Sequence, residues 1–358
     1  MKPAVKLIFF TGLCVLVMSC SIQKAAINMI SDALSGTGGS SAGGTSTASA
    51  LTGDDDIELV GDALPFALKL YETLLSQNPD HVGLLMTTGM GFIMYANAFV
   101  QTPADMMPQE DYEKQAEMVL RAKKLYIRGR DYVLKAIELK HKGFRQALDS
   151  DDFETALSGM KKPDADSLYW ASAGWLAAFS INPFDISLTM QMPKVLALIG
   201  KVLELDESYG KGGLHDLLFS VQASLPDDLK YRTKIRPEND SVRRFFDAYY
   251  AGIFGKDGSA TPEEKARHHF GRALVLAEGK NPSPYLSLAA GVCIPNQYAD
   301  EFIKLCNKAL AVDPALDPDN KLAVILAQNR ARWYLDNINQ FFLLETEEDF
   351  NNDDMEGE

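Results

Sequence analysis

The residues with chemical potential in this chain are few and scattered. Gly210-Lys211-Gly212-Gly213 stands before a helical segment and resembles a backbone cradle for phosphate. The Gly-x4-Gly-Lys-Ser/Thr spacing is missing, so it reads as a turn leading into a helix. His215, one turn later, reads as a packed or capping side chain. His268 and His269 lie on adjacent helix faces with no Cys, Asp or Glu at ligand spacing, and no metal site is expected. Arg128 and Arg130 in YIRGRDY could grip a carboxylate in bidentate fashion, or pair with Asp131 and other nearby acids. Nucleophile elbows, Cys/His pairs and dinucleotide-binding glycine loops are absent, so neither catalysis nor a cofactor is expected. What remains is apolar recognition. Met86, Met90, Phe92, Met94, Tyr95 and Phe99 follow Pro79 on one helix, and Tyr169, Trp170 and Trp175 lie on a later one. Met and aromatic side chains suit an adaptable pocket, although packed helices would bury much the same stripe as plain core. Trp170 and Trp175 are about 140° apart around a helix, so only one of them is expected to face a cavity.

A different chemistry is written at the start of the chain. Lys2 and Lys6 precede an apolar run, Leu7 to Met18, too short to cross roughly 30 Å of hydrocarbon. The run ends in Val17-Met18-Ser19-Cys20, which resembles the lipobox of bacterial lipoproteins. Residues 1–19 are then a signal peptide and Cys20 the acylated residue. Several chains at about 0.8 kcal/mol per buried CH₂ would make a stable anchor. Residues 20–56 are expected to form a tether, because Ser35 to Ala50 is rich in Gly, Ser and Thr. Ile22 to Leu34 reads either as a short helix or as part of that tether. The net charge is −14, and loss of Lys2 and Lys6 with the signal takes it to −16. That balance argues against nucleic acid and against a peripheral hold on anionic lipid. Residues 345–358 read as an acidic, solvated tail. Cys293 and Cys306 are expected as buried free thiols, since a tight hairpin turning near Pro295 would hold them too far apart to bridge.

The elements that must position these residues are all helical: apolar spacing follows a 3.6-residue period almost throughout, with no strand signal. One pattern recurs. Ala67-x3-Tyr71-x2-Leu74-Leu75-x3-Pro79, Ala266-x3-Phe270-x2-Ala273-Leu274 and Phe302-x3-Cys306-x2-Ala309-Leu310-x3-Pro314 are its clearest copies. Weaker ones start at Gly129 and Val195. They resemble the second helix of the tetratricopeptide repeat, in which small residues let the helix nest against its partner. Only the step from 278 to 314 is near that repeat's period of about 34 residues, so the repeats are degenerate. The expected fold is all-α, a solenoid or ring-like array of tetratricopeptide-like hairpins over residues 57–344. It begins with a helix near 62–78. Hairpins follow near 80–141, 165–205, 208–278 and 283–312, and a capping helix lies near 319–344. Tyr112, Ala116, Val119, Tyr126, Gly129, Val133 and Ile137 form one face of a long helix over 109–140. An insertion, about 226–260, carries the amphipathic segment VRRFFDAYYAGIF.

Longer segments are more specific. ALPFALKLYETLLSQNPDHVGLLMTTGMGFIMYANAFVQ, LYIRGRDYVLKAI, DSLYWASAGWLAAFSINPFDI and MPKVLALIGKVLELDESYGKGGLHDLLF resemble, in this order, the T component of TRAP (tripartite ATP-independent periplasmic) transporters. Leu168-Tyr169-Trp170 with Trp175, and Tyr209-Gly210-x2-Gly213-Leu214-His215, are the most distinctive pieces. The insertion departs from that pattern. The resemblance implies a periplasm-facing lipoprotein, trimeric, that pairs with a TRAP solute-binding protein and offers a channel or pocket to an apolar or organic-acid ligand. The residues expected at such a site are Met90, Tyr95, Phe99, Tyr169, Trp170, Trp175, Arg128 and His215. The competing reading is a lipid-anchored repeat scaffold that holds a protein in envelope assembly. A cell-wall hydrolase would need a carboxylic acid in an apolar cleft, and the acids here fall on polar helix faces.

Overall fold

Every regular element among the described residues is a helix. The computed structural model describes residues 47–225, 240–255 and 260–343. Cys20, most of the expected tether, parts of the insertion and the acidic tail lie outside them. The chain divides into two compact units, with boundaries at Asp206/Glu207 and, inside the insertion, at Val242/Arg243. The helical region expected over residues 57–344 thus spans two units.

The first unit opens with a short helix, α1 (Thr47–Thr52). The end of the expected coil is thus helical: TASALT has no glycine and two alanines, which favour a helical turn. α2 (Ile57–Gln77) starts at Asp56, whose carboxylate accepts from Leu59 N–H at 3.0 Å. α3 (Val82–Asp105) is capped by His81 and contains a π-helical stretch, Asn97–Gln101. α4 (Tyr112–Lys140) is the long helix. Its apolar face is buried only from Ala122 onward, because Tyr112 is 65% exposed and Ala116 is also exposed. The first turns of α4 meet only the end of α3, where Gln115 donates to the Ala104 carbonyl oxygen at 2.9 Å, and stay largely uncovered. Two short helices, α5 (Phe144–Asp149) and α6 (Phe153–Leu157), lead to α7 (Ala165–Ser180) and α8 (Met192–Leu205). α2 packs on α3, α3 on α4, α4 on α7, and α7 on α8.

Glycines set the closest of these approaches. A Cβ on Gly129 would lie 2.6 Å from the Gly89 carbonyl oxygen, and one on Gly89 2.7 Å from that of Gly129, so α3 and α4 cross backbone against backbone. α3 and α8 belong to stretches apolar and long enough, by length and composition, to cross a membrane, yet both contribute to the core: Leu84, Leu85, Met192 and Leu196 are buried.

The second unit starts with the turn Tyr209–Gly212, where Gly210, Lys211 and Gly212 all have positive φ. It feeds α9 (Gly213–Ser224). α10 (Ser241–Phe254) lies in the insertion, and α11 (Pro262–Ala277) begins with a Thr261/Glu264 capping box. α12 (Ser283–Leu288) continues as a π-helical turn, Ala289–Cys293, before α13 (Ala299–Leu310) and α14 (Lys321–Asp336). α9 packs on α11, α12 on α13, and α13 on α14. The core between the last three helices gathers Phe302, Tyr334, Phe342, Cys293 and Cys306. Both cysteines are buried free thiols, and burial pushes Cys293 up to about 12 and Cys306 to about 11, so both stay protonated and inert.

Candidate functional site

In the first unit α3 has three kinds of surface. Gly89 and Ile93 face α4 and α7: Gly89 meets Val133 and Gly129, and Ile93 meets Gly129 and Gly174 of α7. Gly91 and Phe99 face α2, the first against Leu68 and the second against Gly61. Between these lie Thr87, Met90, Met94 and Ala98, none fully covered. On α7 the corresponding half-buried residues are Asp166, Tyr169, Trp170, Ala173 and Ala177. Their spacing is that of one helix side. The two helices touch, and each carries such a partly covered stripe, mostly apolar.

The expected site residues therefore separate. Met90, Tyr169 and Trp170 lie on the half-covered stripes, the two aromatic rings meeting edge to face at 5.6 Å. Tyr95 and Phe99 stack on each other at 5.8 Å, with Arg121 donating to the Tyr95 oxygen and Phe99 pressed on α2. Trp175 is 2% exposed. It donates its N–H to Gln191 at 2.9 Å and lies under the Arg130 guanidinium. Arg128 lies over the Phe92 ring and pairs with Glu72. Burial pushes the Glu72 carboxyl up, but hydrogen bonds from Lys69 and Tyr132 and the Arg128 charge outweigh it, so it sits below the usual range. Arg130 donates from Nε and Nη2 to one oxygen, Oδ1, of Asp131 at 2.9 and 2.8 Å. Both arginines thus have acidic partners within the chain. Cys20 lies outside the described residues.

The π-helical stretch of α3 has a specific occupant. Tyr126, fully buried, donates to Gln101 Oε1 at 2.6 Å and accepts from Asn97 Nδ2 at 3.2 Å. Such bulges widen a helix locally and often accompany function. A separate open cleft of about 500 Å³ lies where α4, α5 and α6 meet, lined by His141, Lys142, Gly143, Ser150, Thr155 and Ser158 among others. None of the expected site residues reaches it.

His215 belongs to the second unit, and its surroundings were missed in the sequence. It is fully buried, with its Nδ1 2.9 Å from His269 Nδ1. His269 Nε2 meets the Tyr250 hydroxyl at 2.8 Å, and Gln222 donates to that hydroxyl at 2.8 Å. One consistent order of donors has Tyr250 donating to His269 and His269 donating to His215, which leaves the His215 Nε2–H turned toward Glu207 at 3.4 Å without a hydrogen bond. Burial pushes His215 down to about 4; burial and its neighbours' charge hold His269 well below its ordinary value, so both are neutral near pH 7. The spacing 215, 218, 222 on α9 puts His215 and Gln222 on one side, the signal that could have found them. The partner residues 250 and 269 are remote in sequence and give no such signal. Among the described residues no group of three or more His, Cys, Asp or Glu is placed to hold a metal ion.

This helical chain matches the family described as TRAP transporter T-component over residues 53–229 and 238–342. The chain belongs to that family. It is also 32% identical over 349 residues to an uncharacterized protein of Treponema pallidum (strain Nichols), covering 95% of this chain and 99% of that protein. Membership gives this T-component a role in TRAP transport and an association with a TRAP transport system. The match breaks at 230–237, inside the insertion that the sequence marks as a departure.

Proposed function

We propose that this T-component is a lipoprotein, acylated at Cys20, that faces the periplasm and partners a TRAP solute-binding protein. Its hairpins act as degenerate tetratricopeptide-like repeats, and it works as a homotrimer. Its cargo is a small, partly apolar solute, an organic or fatty acid, handed on by shape and apolar contact without catalysis. The single observation that supports a ligand-handling role is the pair of half-buried stripes on α3 and α7, where Met90, Met94 and Trp170 keep apolar surface available in a member of a transport family. Within one helix pair a satisfied core would have covered them.

Native mass spectrometry of the protein purified from its own host tests the ligand. A bound small acid is expected, and its occupancy should fall at least about tenfold in the Met90→Lys/Trp170→Ala variant, which removes apolar surface without touching Trp175. A persistently empty wild-type protein would overturn the reading. Pull-down with the TRAP solute-binding protein tests the partner. Recovery of envelope-assembly proteins alone would favour a scaffold instead.

A further inference from the structure

The cleft of about 500 Å³ where α4, α5 and α6 meet takes no part in the function proposed above. All of its walls belong to the first unit. It is far larger than a water site and has the size of a small-molecule pocket. Its innermost residues are apolar: Phe144, Ala147 and Ala156 line it and are buried. Every other lining residue is polar or glycine.

His141 is the lining group whose orientation is fixed. It is the C-cap of α4, and its Nε2 lies 3.0 Å from Asp164 Oδ1, close but off the line of a hydrogen bond. Asp164 is buried and ionised. Burial raises its carboxyl, but Lys140, His141 and the Lys161 N–H outweigh that. A carboxylate has no proton to give, so the neutral imidazole beside it carries its proton on Nε2 and keeps a lone pair on Nδ1. Nδ1 is the nitrogen on the cleft side: a Cβ on Gly159, another lining residue, would lie 3.9 Å from it. The cleft therefore has a fixed acceptor.

Three more side chains complete the set. Lys142 is exposed and acts on Glu138 only through space, because the Glu138 oxygens accept from the Gly143 and Arg145 N–H groups. Its ammonium is left with donors for the cleft. Gln146, also exposed, offers a donor and an acceptor. Asp152 gives one oxygen to the Thr155 N–H at 3.1 Å and retains further lone pairs. The charges of Lys142 and Asp152 cancel, and donors and acceptors are balanced. A phosphate or carboxylate would face two acceptors for one cation. An apolar ligand would strip water from all four polar groups with nothing in return. A hydroxyl both donates and accepts, and so matches either kind of partner.

We infer that this cleft is a binding site for a neutral, polyhydroxylated small molecule of sugar size. Its hydroxyls donate to His141 Nδ1 and Asp152 and accept from Lys142 and Gln146, over the floor of Phe144, Ala147 and Ala156. The site is separate from the half-buried stripes of α3 and α7 and does not rest on the solute reading given above.

The test is a nuclear magnetic resonance titration of the full chain at about pH 8, where imidazoles are neutral. The probes are glucose, N-acetylglucosamine and myo-inositol, with succinate and hexanoate for comparison. At least one of the first three should give saturable shifts in the millimolar range. The His141 Nδ1 resonance, identified by its loss in His141→Phe, should move as a nitrogen that gains a hydrogen bond, and neither comparison compound should move it. Lys142→Ala and Gln146→Ala, both at exposed positions, should each weaken binding at least about fivefold. Gly159→Leu fills the cleft without a clash, since a Cβ there meets nothing nearer than His141 Nδ1 at 3.9 Å, and should abolish binding with unfolding unchanged. The Met90→Lys/Trp170→Ala variant should bind the probe as the wild type does, so failure of one site is read apart from failure of the other. The inference is overturned by no saturable binding of any of the three, by succinate binding in their place, by a His141 proton on Nδ1, or by binding that survives Gly159→Leu.

Discussion

The two units satisfy their buried polar groups in different ways. In the first, amides and ion pairs predominate: Tyr126 on Gln101 and Asn97, Trp175 on Gln191, Arg130 on Asp131, and Asp164 on Lys140 with His141 beside it. In the second, the central network is His215, His269, Tyr250 and Gln222, and it holds together only while both imidazoles are neutral. The second unit thus carries at its centre a sensitivity to acid that the Asp164 carboxylate of the first does not share. A buried network that exchanges donors along a line has no spare acceptor for an added proton.

The comparison is broken most directly by attacking each unit where its helices cross most closely. Gly129→Ala would put a Cβ 2.6 Å from the Gly89 carbonyl oxygen and should cost the first unit about 3 kcal/mol by forcing two backbones apart. Gly212 has φ +99 and a Cβ there would lie 2.6 Å from the Ala273 carbonyl oxygen, so Gly212→Ala should cost the second unit about 3 kcal/mol. Tryptophan separates the readouts: Trp170 and Trp175 report on the first unit and Trp333 on the second. In denaturant titrations each substitution should move the transition of its own unit. If both transitions move together in both variants, the units do not unfold independently and the contrast loses its meaning.

The acid response is the next largest effect. The imidazole of His215 is pushed down to about 4 from an ordinary 6.5, so between those values the unfolded chain binds a proton that the folded one refuses. Stability is full above about pH 6.5 and falls as the pH drops toward 4, by about 2 kcal/mol at pH 5 for His215 alone. In the first unit Asp164 runs the other way. Burial raises its carboxyl, but Lys140, His141 and the Lys161 N–H outweigh that and hold it at about 2. Its contribution is present above the ordinary 3.8 and is lost only as the pH falls through about 2. Comparing denaturation at pH 7 and pH 5, the Trp333 signal should shift to lower denaturant while the Trp170/Trp175 signal stays. Equal shifts would remove the distinction.

How much of this was legible in the sequence varies with the range of the interaction. The helices were, because apolar spacing is local: α4 begins and ends within a few residues of the helix expected over 109–140. Burial along that helix is less legible, since the first turns of α4 look identical to the rest in periodicity and differ only in how little of their surface is covered. Trp170 and Trp175 were separable by angle alone, and their burial differs in the way the angle requires. Tyr95 and Phe99 were not separable from Met90 by residue type. What divides them is that α2 lies on one side of α3, a tertiary fact. Arg128 had several acids available, and which one it takes, Glu72 on α2, depends on the same packing. The Gly210–Gly213 turn could be read because positive φ leaves a glycine signature, whereas the Tyr250–His269 contact joins an insertion to a distant helix and leaves none.

The smallest expected effect sharpens the comparison within the first unit. Trp175→Phe removes an indole N–H that Gln191 accepts and thins the ring under Arg130, leaving a half-buried amide oxygen without its donor. The cost should be about 1 kcal/mol, the usual net worth of one such hydrogen bond. Trp170 is only half covered, so Trp170→Phe should change stability by less than about 0.5 kcal/mol. Thermal or denaturant unfolding of the two single variants, each with Trp333 replaced by Phe, distinguishes them. If Trp170→Phe proves the costlier change, that ring is core and the apolar face on α3 and α7 is not free to meet a ligand. If the order is as expected, the indole at 175 belongs to the scaffold and the one at 170 is left for function, five residues away on the same helix.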